Sequence, residues 1–410
     1  MKKLLYFIIP LIIGVLFAFG LNKFLDHENS KLMKEKNLVP LMGEYSSDIK
    51  DKGVLINNEL LSKNNIMILG SSELSNIIKR QHAATYFNSG RTKNGLFTVG
   101  RPYNQTLQET LILGSTNPDI DNKKVVIFVS MQAFLSRKGV PGKDFQSLFS
   151  PTQFYEFLNN NNINKETKDY LARRVASLLK SSDEYSSERV YAELYTDNST
   201  LGDICSVLFK PYFFIREKEV MLKEKGLLYL KLKKLNNKNK TKKLSNNSID
   251  WKREDEIAYK EGQAKAKGNK YKIDYNNYKF ISKKLPKMKN AYSKINLLKS
   301  QEVDDYKNLL NTCKELGVKP TIVLLPNADW YYDYTGITKD KRTNFYKTLE
   351  ELASKDGFKV INLQDKEPTL KNNKNTDYYL RDIMHLGTRG WVDISERIYK
   401  EYNQGQIPVN

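Results

Sequence analysis

The 410-residue sequence has few of the side chains that build disulfide frameworks and metal centres. It contains two cysteines, Cys205 and Cys313, and only three histidines. The cysteines lie far apart without a Cys-x-x-Cys or Cys/His cluster, which excludes a disulfide framework and argues against a thiolate zinc site. Two alternatives remain for the cysteines, a single Cys205–Cys313 bridge or two buried free thiols. We expect no cofactor and no metal.

Negative charge is scarce in one part of the chain. The formal net charge is +20, and residues 221–300 hold 23 Lys+Arg against 7 Asp+Glu, which is +16 of that total. Nucleic acid is the usual partner of such a basic region. The first residues of the chain favour another compartment, and therefore another partner.

The N-terminal segment "MKKLLYFIIPLIIGVLFAFGLNKF" places two lysines before an uninterrupted apolar stretch from Leu4 to Leu21. Eighteen helical residues span about 27 Å, close to the hydrocarbon thickness of a bilayer. The stretch exceeds a signal-peptide core of about 7–15 residues and no A-x-A site follows it, so we predict a transmembrane signal anchor over residues 1–22 rather than a cleaved signal peptide.

Lys2 and Lys3 predict a cytoplasmic N-terminus, which places the rest of the chain outside the cytoplasm. Nucleic acid is then excluded as a partner. A basic surface beside a membrane instead meets anionic lipid head groups or anionic wall polymers. The alternative is that the lysines only form a solvated face.

The remaining chain predicts an α/β fold with a mainly parallel sheet flanked by helices. Residues 23–62 are interpreted as a juxtamembrane connector, and residues 63–410 as the main domain. A lysine-rich helical insertion is predicted at about 150–300, with an exposed loop at 240–250 and a frayed end at 403–410. The predicted strands are Ile66–Leu69, Leu96–Val99, Val125–Val129, Thr321–Leu325 and Lys359–Leu363. The predicted helices of the main domain include Thr106–Leu113, Val303–Leu316 and Phe345–Lys355.

Gly70-Ser71-Ser72-Glu73 follows the first predicted strand. In an open parallel sheet, ligands bind at the carboxyl ends of the strands, where a serine in a glycine turn presents its hydroxyl. The commoner explanation of such a serine is a helix N-cap.

The histidines favour chemistry at this turn. His385 follows Asp382 by three residues in the loop-like stretch "LRDIMHLGTRGW", whereas His27 and His82 have no obvious partner. A serine becomes nucleophilic when a base removes its proton and a carboxylate orients that base. An Asp-x-x-His pair on one loop supplies both groups.

Two further residues could hold an oxyanion. Gly100 ends the second predicted strand, where its backbone N–H could face the substrate, and Gln132 follows the third, where its side-chain amide could donate. Alone, each would be interpreted as a turn glycine or a surface amide.

These blocks, in this order at strand ends, resemble those of SGNH (GDSL-like) hydrolases. The resemblance maps the nucleophile onto Ser72 rather than Ser71, and expects asparagine where this chain has Gln132. It implies an α/β fold in which Ser72, His385 and Asp382 are catalytic, and in which Gly100 and Gln132 line the oxyanion site. Glu73 either positions the turn or meets a substrate ammonium group.

The sequence is more similar to the DltD family of D-alanyl-lipoteichoic acid biosynthesis proteins of Gram-positive bacteria. The anchor, Gly-Ser-Ser-Glu and the Asp-x-x-His-x-Gly-x-x-Gly-Trp block at 382–391 carry this resemblance, with the segment "PNADWYYDYTGI" at 326–337. It implies a membrane-anchored serine acyltransferase or esterase in D-alanylation of lipoteichoic acid. The implied partners are lipoteichoic acid, the membrane, a membrane acyltransferase and a D-alanyl carrier protein.

Two alternatives remain from the sequence. One is an SGNH esterase or O-acyltransferase acting on another wall polymer. The other is a non-catalytic teichoic-acid-binding assembly subunit that keeps the fold only for presentation.

Overall fold

The computed structural model describes residues 2–75, 77–121, 123–235, 248–364 and 376–403, and the side chains of residues 2–5, 7, 8 and 11 lie outside this description. A five-stranded sheet, with all its strands parallel, forms the centre of the fold. The strand order is β2-β1-β3-β4-β5. The strands are β1 (Ile66–Leu69), β2 (Leu96–Val99), β3 (Lys124–Val129), β4 (Thr321–Leu324) and β5 (Lys359–Asn362).

Helices cover both faces of this sheet, as predicted. Those before β3 are α1 (Lys2–Glu35), α2 (Val39–Met42), α3 (Asp48–Asp51), α4 (Leu55–Ser62), α5 (Ala83–Phe87) and α6 (Thr106–Gly114). Those between β3 and β4 are α7 (Gly142–Leu148), α8 (Pro151–Asn159), α9 (Lys165–Leu178), α10 (Ser186–Tyr195), α11 (Thr200–Lys233), α12 (Trp251–Ala266), α13 (Tyr275–Lys284) and α14 (Glu302–Glu315). The last three are α15 (Asp329–Thr335), α16 (Lys339–Lys355) and α17 (Thr388–Asn403).

Strand β1, which lies inside the sheet, is apolar at every position because both sheet faces are covered. All residues of β1 and β2 are buried. Successive side chains of a strand point to opposite faces. Met67 and Leu69 accordingly join one core cluster, while Ile66 and Ile68 join the other. Such continuous apolar runs are typical of parallel sheets, and they explain why the strand bounds predicted from the sequence are close to the observed ones.

The segment predicted as a connector is packed into the main core. Leu38, Leu41, Ile56 and Leu60 are buried in the cluster that contains Met67. Residues 23–62 are therefore continuous with the α/β core in their packing. At the β2 edge of the sheet, α2 contacts β2, and Asp51 of α3 accepts the Gly100 N–H.

The predicted insertion is mostly helical in the part that the structure describes. Helices α7–α10 pack with α6 around a core of their own. Helix α12 lies against α17, where Arg389 donates to Asp255 at 2.8 Å and the Thr388 hydroxyl donates to the Ala258 carbonyl. The expectation for the loop at 240–250 falls mainly on residues outside the described ranges, as does that for the end of the chain after residue 403.

The N-terminal helix and the two cysteines can be compared with the sequence predictions. Among the described residues, no helix has a segment both long and apolar enough to cross a membrane, so the predicted transmembrane helix at 1–22 is not supported. Cys205 and Cys313 are both free thiols, and Cys313 is buried in the main core. The bridge of the first alternative is therefore absent, and of the two free thiols only Cys313 is buried, whereas Cys205 is partly exposed.

Candidate active site

The candidate site lies where the order of the strands changes direction. The chain runs from β1 outward to β2, then returns to the other side of β1 with β3. Ligands of open α/β sheets bind outside the carboxyl ends of the strands at such a point. A cavity of about 560 Å³ occurs there, and Ser72, Gln132, Asp382 and His385 are among the residues that line it.

The turn after β1 fixes the position of Ser72. A short 3-10 helix over Ser72–Leu74 begins two residues after Gly70, and its Leu74 side chain is fully buried. The Ser71 N–H donates to Glu73 Oε1 at 2.7 Å, and the Leu74 N–H donates to the Ser71 carbonyl. These bonds and the buried leucine hold the turn, so Ser72 projects from a rigid support rather than from a free loop.

Ser72, His385 and Asp382 form a continuous chain of hydrogen bonds. The Ser72 Oγ lies 2.8 Å from His385 Nε2, and His385 Nδ1 lies 2.8 Å from Asp382 Oδ2. This arrangement can activate a hydroxyl, because the imidazole accepts its proton while the carboxylate orients the ring and stabilises its charged form. The sequence predicted these three residues, and the fold brings them together across 313 positions of the chain.

The loop before α17 is organised around the Asp382 carboxylate. Its Oδ1 accepts the backbone N–H groups of Met384 and His385, each at 2.9 Å. Burial alone would raise the pKa of Asp382, but the hydrogen bonds from His385 and these N–H groups outweigh it and lower the pKa. The carboxylate is therefore held in its ionised form beside the imidazole.

The helical insertion supports the loop that carries Asp382 and His385. The sequence did not predict this contact. The Arg381 carbonyl accepts the Asp274 N–H and the Asn277 side-chain amide, both at 3.0 Å. Arg381 in turn donates its N–H to the His385 carbonyl. Asn277 and Phe280 of α13 also line the cavity, so the insertion forms part of its wall.

Gly100 does not offer the free N–H that the sequence suggested. Its N–H donates to Asp51 Oδ1 at 2.8 Å, and the same carboxylate accepts from Arg101 Nε through Oδ2. A buried aspartate from α3 was not identifiable from the sequence, because its segment was interpreted as a connector. What requires glycine here is the backbone, which has a φ of +140° and lies against the Gly70 carbonyl.

Other donors are available beside Ser72. The Ser72 N–H and the side-chain amide of Gln132 have no hydrogen-bond partner in the part of the chain that the structure describes, and both residues line the cavity. Asn104, which the sequence analysis missed, also lines it and donates one amide hydrogen to the Gly70 carbonyl at 2.8 Å. Its only sequence signal was an amide four residues after a strand-ending glycine.

Glu73 is both structural and close to the reacting groups. It is 4% exposed, and burial raises its pKa, while the Ser71 N–H, its own N–H and the charge of His385 oppose that rise. The Oε2 atom has no partner among the described residues. Its Oε1 bond to Ser71 holds the turn, and its second oxygen is unused by the protein.

The other two histidines lie outside the site. His82 caps α5 by accepting the Ala84 N–H, and its ring packs 4.2 Å from that of Trp391. Burial lowers the pKa of His82 to about 4. His27 is exposed on α1. Within the described ranges, no group of three or more His, Cys, Asp or Glu residues could hold a metal ion.

Comparison with known proteins gives the same family along nearly the whole chain. The family model described as "DltD protein" matches residues 43–403. "Protein DltD" of Bacillus subtilis (strain 168) is 25% identical over 360 residues, covering 87% of each chain. "Protein DltD" of Staphylococcus aureus (strain NCTC 8325 / PS 47) is 26% identical over 352 residues, 85% of this chain and 84% of the relative. "Protein DltD" of Lacticaseibacillus rhamnosus is 25% identical over 356 residues, 85% and 79% of the two chains. The chain belongs to the DltD protein family.

Proposed function

We propose that this protein is a serine acyltransferase of the SGNH type that takes part in D-alanylation of lipoteichoic acid. The observation that carries the proposal is the hydrogen-bonded chain from Ser72 through His385 to Asp382 at the open end of the sheet. Family membership supports the pathway, and the geometry supports the chemistry. The two lines of support are independent of each other.

The proposed reaction has two steps. Ser72 Oγ attacks the carbonyl carbon of an activated D-alanyl group while His385 takes its proton, and the bond to the leaving group breaks as that proton passes to it. An ester on Ser72 results. His385 then takes the proton of a polymer hydroxyl, whose oxygen attacks the ester and regenerates the serine. Asp382 orients the imidazole and stabilises its cationic form throughout.

Developing negative charge on the carbonyl oxygen needs donors already in place. The Ser72 N–H and the Gln132 amide are suited to this role because both are unpaired among the described residues and line the cavity. The second amide hydrogen of Asn104 is a third candidate. Preorganised donors of this kind commonly contribute several kcal/mol to acyl transfer. Gly100, whose N–H is bonded to Asp51, has no part in this proposal.

Exposed lysines of the insertion lie beside this site and support a polyanionic substrate. Helix α13 lines the cavity through Asn277, Phe280 and Ile281. The same helix and the turns after it carry a series of exposed lysines, which are Lys279, Lys283, Lys284, Lys287, Lys289 and Lys294. We propose that these side chains hold phosphates of the polymer while one of its hydroxyls enters the cavity.

The proposal includes an outward-facing protein anchored in the membrane. It rests on the apolar sequence from Leu4 to Leu21 and the two lysines before it. The proposed partners are lipoteichoic acid, a membrane acyltransferase and a D-alanyl carrier protein. Added protease that digests the main domain on intact protoplasts would support the orientation, and full protection would contradict it.

The deciding experiment measures ester-linked D-alanine on the lipoteichoic acid of intact cells. Cells with Ser72→Ala are compared with wild type at equal membrane levels of the protein. Ser71→Ala is the matched control, because Ser71 lies one residue away and bonds through its backbone N–H and a 3.3 Å hydroxyl contact to the Arg101 carbonyl. We expect loss of the esters only in Ser72→Ala. Unchanged D-alanine esters in Ser72→Ala cells would favour a non-catalytic binding subunit. Altered acylation of a different wall polymer would favour an esterase or O-acyltransferase that acts on that polymer.

A further inference from the structure

Three buried glutamates share the cavity of the nucleophile. Glu73, Glu109 and Glu302 line the same space of about 560 Å³ as Ser72 and His385. Their exposed fractions are 4%, 2% and 0%. Three buried acids around one small cavity are unusual, because buried carboxylates are normally paired with a cation.

These acids keep oxygen atoms that the protein does not use. Glu73 Oε1 accepts the Ser71 N–H at 2.7 Å, and Glu302 Oε1 accepts the N–H and hydroxyl of Thr106 at 2.9 and 2.8 Å. The Oε2 atom of all three glutamates is buried without a partner in the described part of the chain. Glu109 makes no side-chain hydrogen bond to any described residue. Each of the three glutamates thus keeps an acceptor oxygen that no donor of the described residues reaches.

Other buried acids of this chain are paired with a cation, which Glu109 lacks among the described residues. Asp305 is paired with Arg174 at 2.8 Å and Glu188 with Arg216 at 2.9 Å. Glu109 contacts no cation in the described ranges, and burial together with the charges of Glu73 and Glu302 raises its pKa well above its ordinary value. A ligand that brings a positive charge and several N–H donors would satisfy this group.

We propose that Glu109, together with Glu73 and Glu302, binds the ammonium group of an aminoacyl donor, so that the site selects aminoacyl groups over uncharged acyl groups. The inference rests on the proposed function, because it takes Ser72 as the residue that attacks the acyl carbonyl. The Ser72–His385–Asp382 chain can attack any activated acyl group, so the choice of an aminoacyl group is assigned to the glutamates of the cavity.

The chemistry of an α-aminoacyl group fits this arrangement. Its ammonium nitrogen is two bonds from the carbonyl carbon, so a group attacked by Ser72 must place its ammonium in the same cavity. An ammonium has three donors and no acceptor, which complements the unpaired oxygens of these acids, and its positive charge favours their ionised form. Hydrogen bonds of this charge-assisted kind are about twice as strong as neutral ones. Glu73 is adjacent to the nucleophile in sequence, and Glu109 and Glu302 extend the acidic wall from α6 and α14.

The test measures binding without turnover. Full-length Ser72→Ala protein in detergent is titrated by calorimetry with D-alaninamide and with propionamide, which lacks only the ammonium group. We expect D-alaninamide to bind at least tenfold more tightly than propionamide. We also expect the double variant Ser72→Ala/Glu109→Gln to lose about tenfold or more in D-alaninamide affinity, since a hydrogen bond to a charged group contributes about 1.5–3 kcal/mol.

The matched control is Ser72→Ala/Glu224→Gln. Glu224 is a buried carboxyl outside the catalytic cavity that accepts the N–H groups of Val54 and Leu55. It should leave D-alaninamide binding unchanged. Glu302→Gln on the Ser72→Ala background is a second variant, because a glutamine oxygen can still accept from Thr106. Equal binding of the two amides, or unchanged affinity in both Glu109→Gln and Glu302→Gln, would overturn the inference.

Failure of the proposed function gives a different result. Turnover is followed with D-alanyl and propionyl thioesters of one leaving group, using protein with Ser72 intact. If neither thioester reacts in a Ser72-dependent way, the serine mechanism fails whatever the calorimetry shows. If both react equally and Glu109→Gln leaves their kcat/KM ratio unchanged, the mechanism stands and the inference fails.

Discussion

Gly100 and Gly70 hold the carboxyl ends of two neighbouring strands in direct contact. A Cβ atom on Gly100 would lie 1.8 Å from the Gly70 carbonyl oxygen, and the φ of +140° disfavours any other residue. Because Gly70 begins the turn that carries Ser72, the backbone of β2 sets the position of the nucleophile. This packing role replaces the oxyanion role that the sequence suggested for Gly100.

Gly100→Ala should therefore impair catalysis through displacement of the Ser72 turn. A misplacement of about 1 Å is enough for roughly a 10²-fold loss, so we expect kcat/KM for thioester turnover to fall by about that factor. Gly317→Ala is the control, since Gly317 has a φ of +64° but open space around its Cα. It should lower stability by about 1 kcal/mol and leave kcat/KM unaltered. Equal effects of the two variants on turnover would contradict the packing argument.

Asp382→Asn should abolish most of the activity while the fold is retained. An amide cannot both orient the imidazole and stabilise its cation, and the equivalent change in serine enzymes costs about 10⁴-fold in kcat. Steady-state thioester turnover by the purified protein measures this loss. Asp340→Asn, an exposed change in the first turn of α16, serves as the control. Turnover within tenfold of wild type would exclude Asp382 as the orienting group.

The two carboxylates on Arg101 should contribute very differently to stability. Asp51 is buried and accepts both the Gly100 N–H and Arg101 Nε, whereas Asp48 is 72% exposed and pairs with Arg101 at its outer side. Asp51→Ala leaves the buried Gly100 N–H without an acceptor and leaves Arg101 with only its exposed partner Asp48, so the free energy of unfolding should fall by about 3–5 kcal/mol. Asp48→Ala should cost less than about 1 kcal/mol. Urea unfolding followed by circular dichroism compares the two, and equal losses would show that burial does not set the difference.

Much of the fold was predictable from the sequence, for a physical reason. The inner strands β1, β3 and β4 are buried on both faces, so each appears as a mainly apolar run such as Ile66–Leu69, which is found from residue types alone. The Asp382–His385 pair could also be found, because both residues lie on one loop. Ser72 could be joined to them only through the general rule that ligands gather at the carboxyl ends of parallel strands.

The supporting residues could not be predicted, because they come from distant segments. Asp51 reaches Gly100 across 49 positions, and Asn277 supports the His385 loop across 104. Glu109 and Glu302 lie on helices whose apolar periodicity marks them only as core elements. No local pattern distinguishes a buried acid of this kind from one on a solvated helix face, since only the tertiary contacts decide it.

His82 should make stability depend on pH in the acid range. Burial lowers its pKa from 6.5 to about 4, so the unfolded chain binds more protons than the folded protein between these values. The contribution of neutral His82 is therefore fully present above the unfolded pKa and declines as the pH falls toward 4. The expected loss between pH 7.5 and pH 5 is about 2 kcal/mol.

The measurement is urea unfolding of wild type and His82→Gln at the two pH values. Other titrating groups affect both proteins alike, so the quantity of interest is the difference between them. The difference in free energy of unfolding between wild type and His82→Gln should be about 2 kcal/mol smaller at pH 5 than at pH 7.5. His27→Gln, a change at an exposed position of α1, should show no such difference. A gap that stays constant with pH would mean that His82 is not neutral in the folded protein.

The exposed lysines beside the cavity should control binding of the anionic polymer. Replacing three of them by glutamine removes positive charge next to the mouth of the active site, so affinity for lipoteichoic acid should fall several-fold. The salt dependence of binding should weaken as well, because fewer phosphate contacts remain to be screened. The variant replaces Lys283, Lys284 and Lys287.

The control variant carries the same loss of charge away from α13. It replaces three exposed lysines of α14 and α16, which are Lys314, Lys347 and Lys355. Long-range attraction alone would make the two triple variants equally weak, since their net charges are identical. A local binding surface instead predicts weak binding only for the α13 variant, with thioester turnover intact in both because thioesters carry no polymer. Titration of both proteins with lipoteichoic acid at low and high salt distinguishes these cases, and identical curves would remove the lysines of the insertion from the proposed substrate site.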